Sequence, residues 1–73
     1  MIKKIGLYCR NFRIDVLGMS LTEFCNITNS NIKNVSAFEN GRANNIKYLI
    51  LYYNECNEYE KETFLSGLFR GCL

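Results

Sequence analysis

This sequence predicts a small all-helical fold, a bundle of five short helices. Three observations predict it. Apolar residues recur at helical spacing along most of the chain. Asparagines and glycines interrupt those segments where caps and turns belong. With 73 residues there is room for one domain, 1–73, and one thin core.

The first helix is expected from about Lys3 to Leu17, with Ile5, Tyr8 or Cys9, Phe12 and Val16 facing inward and Gly18 as its stop. Ser20 then reads as an N-cap, and Glu23 three residues on completes the pattern of a capping box. The second helix runs to about Ile27 and buries Phe24 and Cys25, with Ile27 as a further candidate. Thr28-Asn29-Ser30-Asn31 makes a polar turn, since asparagine bonds its local backbone and tolerates left-handed conformations. A third helix, Ile32 to Glu39, faces inward through Val35 and Phe38 and ends at Asn40-Gly41. Asn45 is placed to cap a fourth, burying Ile46, Leu49, Ile50 and Tyr53. The run Tyr48 to Tyr53 could instead form a buried strand, but its length and the asparagine before it favour a helix. The fifth helix, about Glu58 to Arg70, carries Phe64, Leu65, Leu68 and Phe69 as two i,i+4 pairs, with Gly71 following.

Composition narrows the function. Hydrophobic residues make up 48% and charged residues 22% of the chain, ordinary for a globular domain. Histidine is absent, which removes the commonest general base and the commonest metal ligand. The cysteines Cys9, Cys25, Cys56 and Cys72 include no C-x-x-C pair, so neither a zinc site nor any cofactor is expected. An enzyme is not expected. The opening MIKKIG has no apolar h-region, which points to a reducing, cytoplasmic setting where the thiols serve as small apolar side chains. The longest apolar run, Tyr48 to Tyr53, falls far short of the ~20 residues that span a bilayer, and no membrane partner is expected.

Net charge is +2, divided unevenly. Residues 1–50 hold seven basic and three acidic side chains, a balance of +4; residues 51–73 hold two basic and four acidic, a balance of −2. A basic part facing a polyanion and an acidic part facing a different partner would give this division.

Residues 18–42 read GMSLTEFCNITNSNIKNVSAFENGR. Gly18-Met19 precede a helix capped by Ser20. Glu23-Phe24-Cys25 is an acidic, an apolar and a small residue in succession, and Val35 follows ten residues later. Phe38-Glu39-Asn40-Gly41 closes the stretch as apolar-Glu-x-Gly. The stretch resembles the helix-turn-helix of the Cro and phage-repressor family of DNA-binding regulators, with no gap between Glu23 and Glu39. It covers about a third of the chain, and the flanking helices extend the likeness to about residue 55. The resemblance implies a lambda-repressor-like fold. It also implies that Cys25 sits where two helices cross closely, and that Glu39 ties the recognition helix to an arginine of the first helix, Arg10 or Arg13. Three positions depart from the family pattern. Thr28 and Ser30 stand where aliphatic residues are usual, with Ile27 as a substitute contact, and Leu21 stands where glutamine is common.

On this reading the protein is a sequence-specific transcriptional regulator, a repressor of phage or mobile-element type, and helix 32–40 enters the major groove of an operator in double-stranded DNA. With Val35 and Phe38 inward, the helix offers Ile32, Lys33, Ser36, Ala37 and Asn40, with Asn31 and Asn34 at its flanks. Lys33 suits guanine, Asn31 or Asn34 suits adenine, and Ile32 or Ala37 suits a thymine methyl. Ser20, Arg42, Asn44 and Lys47 are placed for phosphates. One such module makes few contacts, so a homodimer is expected. The stripe Phe64, Leu65, Leu68 and Phe69 either forms its interface or covers the domain's own core. The alternative function is a protein-binding module, such as a phage-encoded inhibitor of a host or defence enzyme, that keeps the fold without binding DNA. The polar turn, Leu21 and the modest basicity favour that alternative.

Overall fold

The structure, a computed structural model, describes residues 2–43 and 45–72, with side chains from residue 4 onward within those limits. It contains five helices and, among the described residues, no strand: α1 (Ile2–Asp15), α2 (Leu21–Thr28), α3 (Ile32–Glu39), α4 (Tyr48–Asn54) and α5 (Glu58–Gly71). The segment 48–53 is helical, which decides between the two readings left open for it.

Helix α1 packs against α3, α4 and α5, and α2 packs against α3. Ile5, Cys9 and Phe12 are buried at spacings of four and three. Tyr8, half-buried beside them, donates its hydroxyl to the Phe64 carbonyl of α5 at 2.8 Å. Gly6 is where α1 meets the end of α3, and a Cβ there would overlap the Phe38 carbonyl oxygen. Val16 is 40% exposed rather than buried. The helix has already ended at Asp15, and the Val16 and Leu17 N–H groups both donate to the Phe12 carbonyl as the chain turns toward Gly18, at φ 66°. Helical spacing no longer places a side chain once the helix has stopped.

Ser20 caps α2 by accepting from the Glu23 N–H at 3.1 Å; of the expected box, this is the half formed among the described hydrogen bonds. Phe24 and Cys25 are buried, and Phe24 stacks on Tyr52 with ring centroids 4.6 Å apart. Ile27 is 52% exposed, so it does not supply the apolar contact expected of it. The polar residues that replace aliphatic ones satisfy each other instead. Thr28 donates its hydroxyl to the Phe24 carbonyl at 2.8 Å, and the Thr28 and Ser30 hydroxyl oxygens lie 2.8 Å apart. Asn29 closes α2 in the left-handed region at φ 54°.

Helix α3 is capped by Asn31, whose Oδ1 accepts from the N–H groups of Lys33 and Asn34. It buries Val35, Phe38 and Glu39 and ends through Gly41 at φ 77°. Asn45 does not cap α4 directly. It opens a tighter turn before it, accepting from the Lys47 N–H on Oδ1 and from the Tyr48 N–H on its carbonyl. The inward face of α4 also differs from expectation. Tyr52 is fully buried, Leu49 and Tyr53 are half-buried, and Ile46 and Ile50 are 54% and 58% exposed. Helix α5 begins at a complete capping box formed by Asn57 and Glu60. Phe64 and Leu68 close the core from its side, while Leu65 and Phe69 face outward. Three of the four thiols, Cys9, Cys25 and Cys56, lie in the core among aromatic rings, as apolar fillers. No helix of the described residues is long and apolar enough to cross a membrane.

Candidate nucleic-acid interface

The candidate site is built on the buried end of α3. Glu39 is 4% exposed and Arg13 of α1 is 5% exposed. Arg13 grips the carboxylate as a fork, Nε donating to Oε2 and Nη2 to Oε1, both at 2.9 Å. Its remaining Nη1 donates to the Met19 carbonyl at 2.9 Å, which ties in the segment between α1 and α2. Tyr52 of α4 completes the cluster by donating its hydroxyl to Glu39 Oε2 at 2.8 Å. Of the two arginines considered for Glu39, Arg13 is therefore the partner, and Arg10 is exposed. The hydrogen bond to Glu39 holds the guanidinium more firmly protonated than usual. Burial, and then the bond to Glu39, push the Tyr52 phenol well above its ordinary range. No buried side-chain nitrogen or oxygen among the described residues lacks a partner. Satisfied in this way, a buried charge pair fixes one arrangement of α1, α3 and α4.

That anchor leaves the other side of α3 in solvent. Asn31, Ile32, Lys33, Asn34 and Asn40 are exposed, with Ser36 and Ala37 half-buried between them. Around this face lie Ser20 at the start of α2 and Arg42 and Lys47 beyond the end of α3, all exposed. Leu21, Ile32, Lys33, Ser36 and Arg42 line one shallow groove between α2 and α3. Asn44 lies outside the described residues.

The hydrogen bonds limit what several of these groups can offer. Asn31 has given its Oδ1 to the cap of α3, so only its NH₂ group is free, and a two-point contact to adenine is not open to it. Asn34 is the asparagine left for that role. Asn40 donates from Nδ2 to the Ser36 carbonyl at 2.9 Å and to the Ser36 hydroxyl at 3.3 Å, keeping its Oδ1 free. Ser20 accepts as a cap and keeps its proton for an outside acceptor. The Lys47 ammonium lies 6.0 Å from the Tyr48 ring centroid, at the limit of a cation–π contact.

The apolar stripe on α5 is divided. Phe64 and Leu68, 1% and 6% exposed, belong to the domain's own core and cannot also face a second subunit. Leu65 and Phe69, 39% and 63% exposed, are the part left for one. The sequence reading missed Tyr52 as the third member of the buried cluster, Gly6 at the α1–α3 contact, and Leu21 as a wall of the groove. An i,i+4 series of Tyr48, Tyr52 and Cys56 was the signal that could have found Tyr52. No protein-family model, curated protein or solved structure matches the chain.

Proposed function

We propose that this protein is a small sequence-specific DNA-binding transcriptional regulator whose α2 and α3 act as a helix-turn-helix, with α3 as the recognition helix. One observation carries the reading. The inner side of α3 is locked through Glu39 to Arg13 and Tyr52, while its outer side presents a row of hydrogen-bonding side chains and Lys33 to solvent. Rigid support behind an exposed polar helix is what major-groove reading needs. Ser20, Arg42 and Lys47 flank the helix where phosphates would pass. The order Ser20-capped helix, crossing at Cys25, helix ending in Glu-Asn-Gly also supports kinship with the Cro and phage-repressor family. Buried free thiols favour a reducing compartment such as the cytoplasm.

The described residues extend 27 Å at most, less than the roughly 34 Å between successive major-groove faces on one side of DNA. One copy therefore serves one half-site, and an operator of two half-sites would engage a homodimer, with Leu65 and Phe69 as its candidate contact. The test is selection of binding sites from random duplex DNA, followed by a salt titration. Affinity should fall by about one log unit per log salt for each phosphate neutralised, and Arg42→Ala or Lys47→Ala should flatten that slope for all sequences alike. No enrichment at low salt would end this reading.

A second reading, a protein-binding module that inhibits an enzyme, is favoured by a surface that adjoins the α3 face and shares Asn31 and Lys47 with it. Two adjoining grooves on the side of α2 and α4 share Thr28 and Leu51, and bring Ile27 and Ile50 to the exterior. Exposed aliphatic residues of this kind suit a protein partner better than DNA. If Ile27→Ser and Ile50→Ser leave DNA selection unchanged, that surface serves something other than DNA.

A further inference from the structure

Leu21 and Ile32 are the first residues of α2 and α3, and they share one groove. Leu21 is half-buried and packed against the core, so its position is fixed. Ile32 is 42% exposed and takes no place in the core, which α3 supplies through Val35 and Phe38. Beside them stand Lys33 and Arg42, and neither has a carboxylate within 4.0 Å among the described residues. The groove thus has an apolar floor and cationic edges. Its complement is an anion that carries protruding apolar groups.

Resting on the DNA-binding reading above, we infer that Leu21 and Ile32 together form a receptor for the 5-methyl group of one thymine in each half-site. In the major groove that methyl is the single apolar feature on a base edge, and it sits next to the O4 acceptor. Ser36 lies in the same groove. Its hydroxyl oxygen already accepts from Asn40 Nδ2 at 3.3 Å, which leaves the hydroxyl proton to donate. A donor beside an apolar pair matches O4 beside a methyl. Cytosine, which offers an N4 donor and no methyl, fails on both counts. Lys33 and Arg42 supply the charge that brings the polyanion to the groove, and the apolar pair then selects the base.

The experiment uses the full chain and its own selected site, with each thymine replaced in turn by deoxyuridine, which removes the methyl and nothing else. At one position per half-site, affinity should drop about fourfold, the loss expected for one buried methyl-sized group. Ile32→Ala and Leu21→Ala should bind the thymine and uracil duplexes equally at that position, with Ile32→Ala melting as wild type does because Ile32 lies outside the core. Selected sites that tolerate uracil at every position would overturn the inference and leave the DNA-binding reading standing. So would a uracil effect that persists in both variants. Failure to enrich any site would overturn the DNA-binding reading itself, and the receptor with it.

Discussion

At the scale of single residues, Glu39 is the side chain on which most else depends. A carboxylate 4% exposed is tolerable only because Arg13 meets both its oxygens and Tyr52 adds a third bond. Removing one partner strands a buried charge. Arg13→Met and Glu39→Gln should each cost about 3–5 kcal/mol in urea unfolding, and Tyr52→Phe about 1–3 kcal/mol. The double variant Arg13→Met/Glu39→Gln should lose much less than the sum of its two singles, because the second change no longer strands a charge. Strictly additive costs would mean that the fork is solvated. Gly6 supplies a second prediction at this scale. Its Cα faces the Phe38 carbonyl with no space for a methyl, and the neighbour is backbone, which cannot step aside. Gly6→Ala should therefore destabilise the domain by a few kcal/mol, although alanine is the better helix former by about 1 kcal/mol. The sequence offered Arg10 and Arg13 equally as partners of Glu39. Only the direction in which α1 faces α3 separates them, and that is a tertiary fact. Gly6 was silent in the sequence because a glycine within a helix gives no local hint of what lies across from it.

Among the elements, α4 is where local pattern and structure part company. Its seven residues, YLILYYN, make less than two turns and are apolar nearly all round, so periodicity cannot choose a face. The choice is made by one hydroxyl. Rotating Tyr52 inward lets its ring stack on Phe24 while its oxygen reaches Glu39, and this turns Ile50 out to solvent; Ile46, also exposed, lies in the turn before the helix. Ile50→Ser should change stability by no more than about 0.5 kcal/mol, whereas Leu68→Ala, in the core face of α5, should cost about 2–5 kcal/mol. Comparable losses from the two would place Ile50 in the core after all. The other helices were legible where punctuation is explicit. Ser20 caps α2, Asn29 takes the left-handed position, and Gly18 and Gly41 turn the chain at positive φ. By contrast, Asn57, which caps α5, was not read from the sequence, and Asn31 was placed in a turn rather than as the cap of α3. Of the candidate interface, the outward face of α3 could be read from the sequence, since burying Val35 and Phe38 determines it. The sharing of hydrogen bonds among Asn31, Ser36 and Asn40 could not, because it depends on which rotamers the caps demand.

For the molecule as a whole, the core combines aromatic rings with thiols and a phenol that stay protonated. Burial pushes the Cys56 thiol from its ordinary 9.0 up to about 11 and pushes Cys9 further still; Cys25 and Tyr52 move in the same direction for the same reason. The sign of the consequence follows from proton binding. At neutral pH both folded and unfolded chains hold these protons, so the groups add no pH dependence. Above pH 9 the unfolded chain releases thiol protons that the folded chain keeps. Stability must then fall as pH rises, and for Cys56 the fall continues until its folded value near 11 is reached. Each group in its window can steepen the decline by at most about 1.4 kcal/mol per pH unit. Melting temperature measured with a reductant present should therefore be level toward pH 8.5 and drop progressively to pH 11. In the same series, Cys56→Ala should start lower, having lost a buried side chain and its bond to the Tyr52 carbonyl, yet decline less steeply between pH 9 and 11. Parallel curves for wild type and Cys56→Ala would show that this thiol titrates as freely in the folded protein as in the unfolded one, and that solvent reaches the core around it.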